Sequence, residues 1–123
     1  MTAKFGFILY VDNTVAFSPD AAPTVASPPS PSRVFRTTRT MFTGATAQKL
    51  VVVPKDGTTM SVRAWVLEET PGGFNEWFPI DASAAAATPT VPAFITIPDI
   101  PNAKLFVQIT ANTLVTKFGA FIG

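Results

Sequence analysis

Twelve prolines are spread along 123 residues so that a long helix has nowhere to fit. A proline in a helix interior removes a backbone hydrogen bond and clashes with the preceding turn. The long proline-free stretch Ser32 to Val53 is rich in Thr and Val and contains Gly44, which favours extended chain. Ser83 followed by Ala84 to Ala87 is the best helical candidate, but four alanines make barely one turn before Thr88-Pro89. The segment reads as a loop with at most a single helical turn. The chain is therefore expected to be all-β.

Strands follow from alternation and turn chemistry. Lys4 to Val11 places Phe5, Phe7, Leu9 and Val11 on one side, and Val34 to Phe42 is a Thr-rich extended segment. Gln48 to Val53 leads into Pro54-Lys55-Asp56-Gly57, and Thr58 to Glu68 is expected to run back as a hairpin partner. Thr70-Pro71-Gly72-Gly73 turns the chain into Asn75 to Ile80. Phe94 to Ile97, Lys104 to Thr110 and Leu114 to Ile122 complete the set, with Ala111-Asn112-Thr113 as a tight link. About eight short strands at this spacing predict an antiparallel β-sandwich or jelly-roll-like barrel, residues 1–123 forming a single β domain.

Two segments interrupt the rhythm. Ser18 to Ser32 carries five prolines and one large aliphatic residue, Val25, and reads as a Pro-rich arm or loop. Asp81 to Pro92 reads as an Ala-rich loop. Both can be solvated loops or arms ordered by another chain. On the second reading the Pro-rich arm is dispensable for folding and needed for assembly.

Composition narrows the function. His and Cys are both absent, which removes imidazole bases, thiol nucleophiles, disulfides and the usual zinc and haem ligands. Glu68 and Glu69 are strand neighbours pointing to opposite faces, so they do not flank one glycosidic bond. No catalytic, cofactor or metal site is expected, and the chain reads as a non-enzyme. Nine Lys and Arg against eight Asp and Glu leave a net charge of +1, which gives no general case for nucleic acid or an anionic membrane. Phe5 to Val11 is at the lower limit of a signal-peptide core and ends at Asp12-Asn13, so it reads as a first strand.

The candidate binding residues are two tryptophans and three arginines. With the turn centred on Gly72, Leu67 falls opposite Trp77 and Trp65 opposite Pro79. Met60, Val62, Ala64, Val66, Phe78 and Ile80 then share a core face, and Trp65, Leu67 and Trp77 share the other. That second face is too apolar to be left in water, so it is a subunit interface, a surface covered by the long loops, or a carbohydrate-stacking platform. Arg33, Arg36 and Arg39 are either solubilising charge on an edge strand or a docking patch for an acidic protein surface.

Thr59 to Glu69, the Pro-Gly turn and Glu76-Trp-Phe-Pro-Ile80 resemble the strand-hairpin-strand pattern of small tailed-bacteriophage virion proteins. The resemblance implies a β-sandwich or jelly roll located in the virion, most simply a capsid decoration or cement subunit binding the major capsid or another virion protein. Low charge, many apolar and Thr residues and stiffened arms lean the same way. A homo-oligomer is expected, with a trimer as the first choice, docked through the arm and Arg33, Arg36 and Arg39. The alternative is a carbohydrate- or receptor-binding module of a tail or baseplate, using Trp65 and Trp77.

Overall fold

Alternating burial along the strands defines two layers with the core between them. The computed structural model describes residues 8–37, 48–67, 75–80, 85–97 and 103–122. Nine strands occur among them: β1 Leu9–Asp12, β2 Val34–Arg36, β3 Gln48–Pro54, β4 Thr59–Leu67, β5 Trp77–Pro79, β6 Ala85–Ala87, β7 Ala93–Ile97, β8 Lys104–Thr113 and β9 Lys117–Ile122. A single 3-10 turn, Pro31–Arg33, precedes β2. One sheet has the order β1-β9-β3-β7, and the other has β2-β8-β4 with β5 and β6 both paired to β4. Every ladder is antiparallel. The protein is an all-β sandwich.

Leu9, Val11, Leu50, Val52, Ile95, Ile97, Phe118 and Ala120 of the four-stranded sheet face Met60, Val62, Ala64, Leu105, Val107 and Ile109 of the five-stranded one. Burying each Leu, Val, Ile, Met or Phe of this set contributes about 1.5–3 kcal/mol. The pairing of β4 with β5 has the expected register, Leu67 opposite Trp77 and Trp65 opposite Pro79. Ile80 is half-buried and packs against this core, while two other residues of the expected core do not join it. Val66 is only half-buried and Phe78 is 52% exposed. Both sit where β5 forms the margin of its sheet and packs chiefly on β4, so the core face runs out from under them.

The expected hairpin around Pro54-Lys55-Asp56-Gly57 is a crossing between sheets, because β3 and β4 lie in opposite layers. Its polar groups bind the β8–β9 link instead. Lys55 N–H donates to Lys117 O at 2.9 Å, and Thr58 N–H donates to Thr113 O at 2.9 Å. The β8–β9 link is itself a crossing, and it falls at residues 114–116 because β8 continues through Ala111, Asn112 and Thr113. Gly57 has φ +75°, and a Cβ there would lie 2.5 Å from the Leu114 carbonyl carbon. Only glycine fits where these two crossings touch.

Asp56 fastens the same junction. Its carboxylate accepts from the Thr116 hydroxyl and from the amides of Thr116 at 2.8 Å and Lys117 at 3.2 Å. The Thr116 hydroxyl and amide hold its carboxyl below the ordinary value of 3.8; partial desolvation opposes them, and the Lys117 amide and charge add to the lowering. A depressed carboxyl contributes stability that is full above the unfolded value and is lost as pH falls through the folded one. Urea midpoints measured at about pH 7 and about pH 3 are therefore expected to differ less for Asp56→Asn than for the parent.

The Ala-rich segment is corrected from loop to strand where it is described. Ala85, Ala86 and Ala87 pair with Val62, Ser61 and Met60, and Ala87 is buried. Alanine is a poor strand former, but here it completes the ladder on β4. Thr88 and Val91 then close a turn through paired backbone bonds of 2.8 and 3.2 Å before β7 begins in the other sheet.

The chain leading into the Pro-rich segment is anchored on the sandwich. Phe17 N–H donates to Val115 O at 3.1 Å, and the Phe17 ring meets Phe118 edge-on at 5.4 Å. Asn112 Nδ2 donates to Phe17 O at 2.9 Å. Beyond this point the chain lies across the outer face of the five-stranded sheet.

Candidate functional site

Strand alternation sends Phe106 and Gln108 of β8 and Trp65 and Leu67 of β4 to the outer face of their sheet, where Trp77 joins them from β5. These residues would be half in water on a bare sheet. Yet Phe106 is only 1% exposed, and Gln108 and Leu67 are buried. The cover is the Pro-rich segment. Ala21, Pro23 and Pro28 border a depression floored by Phe106, while Pro29, Pro31 and Val34 stand beside Trp77. Trp77 packs edge-on against Phe106 at 6.2 Å. The Pro-rich segment thus covers part of the tryptophan face, and Trp65 and Trp77 stay half-buried.

One carboxylate fixes the cover. Asp20 N–H donates to Ile109 O at 2.7 Å, and Asp20 Oδ2 accepts the Ile109 amide at 2.9 Å. Asp20 thus occupies the β8 edge beyond the three residues paired with β2. The same carboxylate takes Arg33 in a two-point grip, Nε to Oδ2 at 2.9 Å and Nη2 to Oδ1. The Arg33 guanidinium also lies 5.8 Å from the Phe17 ring centroid. Trp65 Nε1 donates to Gln108 Oε1 at 2.6 Å, and Gln108 Nε2 donates to Asp20 O at 3.1 Å. A buried glutamine in a central strand needs such partners, because an unpaired buried amide is costly.

The five residues singled out from the sequence consequently separate. Trp65 and Trp77 share one face, with Trp65 tied to Gln108 and Trp77 retaining a partly exposed edge. Arg33 serves the interior contact with Asp20. Arg36 is exposed on β2 beside Lys104, and Arg39 lies outside the described residues. The arginines are not brought together among the described residues. Asp20 was missed, although a lone acid in a Pro-rich stretch invites a search for its cation.

The opposite surface was also missed. On the outer face of the four-stranded sheet, Tyr10 and Val53 flank Gly119, and Phe94, Val51 and Phe121 form the next row. Tyr10 is 49% exposed and Phe94 57%. Gly119 has no side chain, so a depression of ≈ 310 Å³ opens between Tyr10 and Val53, with Lys55 and Pro89 on its rim. An apolar hollow bordered by an amphipathic ring suits an inserted apolar side chain from a protein partner.

Among the described residues no three Asp or Glu converge to hold a metal, and no helix is long and apolar enough to cross a membrane. Comparison with protein-family models, with curated proteins and with solved structures finds no match.

Proposed function

We propose that this chain is a virion structural protein, a capsid decoration or cement subunit that binds the major capsid or another virion protein. The sequence pattern supplies the virion assignment. The observation that supports a docking role is the apolar outer face of the four-stranded sheet, with its hollow between Tyr10 and Val53. Apolar burial there provides most of the affinity, and Lys55 on the rim of the hollow orients the encounter. The subunit works by self-association and protein contact rather than by catalysis, and it resides in the virion.

The test is binding of the purified chain to particles of the virus that encodes it. Tyr10→Lys/Val53→Lys is expected to weaken binding by about tenfold or more with little change in thermal midpoint, since a charge in an apolar contact is penalised. A parent chain that binds no particle contradicts the reading. A second reading, carbohydrate recognition, rests on the partly exposed Trp77, which borders depressions shared with Glu76 and Lys104. Binding on a glycan array that is lost in Trp77→Ala would favour it.

A further inference from the structure

A sheet edge is a row of backbone donors and acceptors, and proteins ordinarily cover it or place charge or proline on it. Most edges of this sandwich are managed in that way. In the five-stranded sheet Asp20 fills the β8 edge beyond β2, β2 ends in Arg36, β5 ends in Pro79, and β6 is only three residues long. The 3-10 turn packs near β1, which ends in Asp12. β7 differs. It closes the four-stranded sheet, and among the described residues its ladder is made with β3 alone. Its sequence, Ala93-Phe-Ile-Thr-Ile97, has no charge and no proline, and its register with β3 is continuous from Ala93 to Ile97. It is the longest edge strand described.

From this edge we infer that β7 pairs antiparallel with β7 of a second copy about a two-fold axis, joining two four-stranded sheets into one of eight strands. An antiparallel strand is self-complementary under a two-fold. Centred on Ile95, the pairing sets Ala93 opposite the second copy's Ile97 and Phe94 opposite its Thr96. Every opposed pair is uncharged. On the outer face, Phe94 against Thr96 is an aromatic with a β-branched residue, a favourable cross-strand combination. On the inner face, Ile95 against Ile95 extends the core. The joined sheet also makes the two apolar outer faces continuous through Phe94. This inference rests on the self-association in the proposed function and replaces the trimer expected from the sequence with a two-fold contact.

A five-residue ladder falls short of the roughly 1,200 Å² of a standard stable interface, so the contact is weak in isolation and strengthened when several copies sit on one particle. Sedimentation of the purified chain without particles tests it independently of capsid binding. The parent is expected to shift from one chain toward two between about 10 μM and 1 mM, the range of weak association. Phe94→Lys/Thr96→Lys opposes like charges at both outer pairs and is expected to stay monomeric, as is Phe94→Glu/Thr96→Glu. An equimolar mixture of the two variants should recover the dimer. A parent that remains monomeric to about 1 mM, or a Lys variant that associates as the parent does, overturns the inference. If either variant fails to fold, amide exchange at Ala93 to Ile97 in dilute and concentrated parent decides: slowing at high concentration supports the pairing, and unchanged rates overturn it.

Discussion

Asp20→Ala is expected to destabilise the isolated subunit by about 3–5 kcal/mol, the usual effect of removing one member of a largely buried ion pair. The loss has several sources. Arg33 is left without its carboxylate, the Ile109 amide loses its acceptor, and the cover over Phe106 and Trp77 is released. Against a total of roughly 5–15 kcal/mol this is a large fraction, and it corresponds to a fall in thermal midpoint of roughly 10–25 °C. Asp20→Asn keeps a carbonyl acceptor and is expected to lose less. Urea unfolding of the three chains followed by Trp fluorescence measures the series. Equal midpoints would mean that the cover contributes nothing to the fold.

Val62→Asp is expected to leave the chain unfolded at room temperature. Val62 is fully buried, set between Ile109 of β8 and Ala85 of β6, and a carboxylate there has no partner. Val66→Asp carries the same chemistry four residues along the same face, but Val66 is half-buried at the sheet margin. It is expected to lose about 1–3 kcal/mol and to keep the fold. Far-ultraviolet circular dichroism and amide NMR dispersion distinguish the two. A folded Val62→Asp chain would contradict the assignment of the core face.

The contrast between these two positions marks how far the sequence carries. Period two put Met60, Val62, Ala64 and Val66 on one face, and the turn position put Trp65 opposite Pro79; both hold in the ladder. Alternation identifies a face but not how far the facing sheet extends, so the exposure of Phe78 was not legible. Pro54-Lys55-Asp56-Gly57 announced a reversal correctly. Turn residues report a change of direction, not whether the returning strand joins the same layer, and the crossing depends on distant partners at Thr113 and Lys117. Ala85 to Ala87 went against local propensity because an edge of β4 needed pairing.

The candidate site was legible in residue type and not in arrangement. Trp65 and Trp77 were placed together, but what covers them is held by one carboxylate and a few backbone groups, which composition does not reveal. A proline-rich segment with little aliphatic content looks free because it lacks the side chains of a core. Here Pro23 is buried, and its neighbours border depressions beside Phe106 and Trp77. Gln108 within Leu105-Phe-Val-Gln-Ile-Thr110 was the available clue, since a polar amide in a central strand implies a partner above it. The hollow between Tyr10 and Val53 depends on the absence of a side chain at Gly119 between two strands far apart in sequence.

The central claim is that the Pro-rich segment belongs to the fold, and the surface proposed for assembly is the outer face of the four-stranded sheet. Amide hydrogen exchange of the isolated monomer tests this most directly, read at Phe17 where the chain enters the segment, at Asp20 on it and at Ile109 beneath it. The account predicts that all three amides exchange slowly, with protection approaching that of Val62 and Val107 in the core, and that Asp20→Ala speeds exchange at Ile109. Exchange of Phe17 and Asp20 at the rate of an unstructured chain, with Val62 still protected, would contradict it.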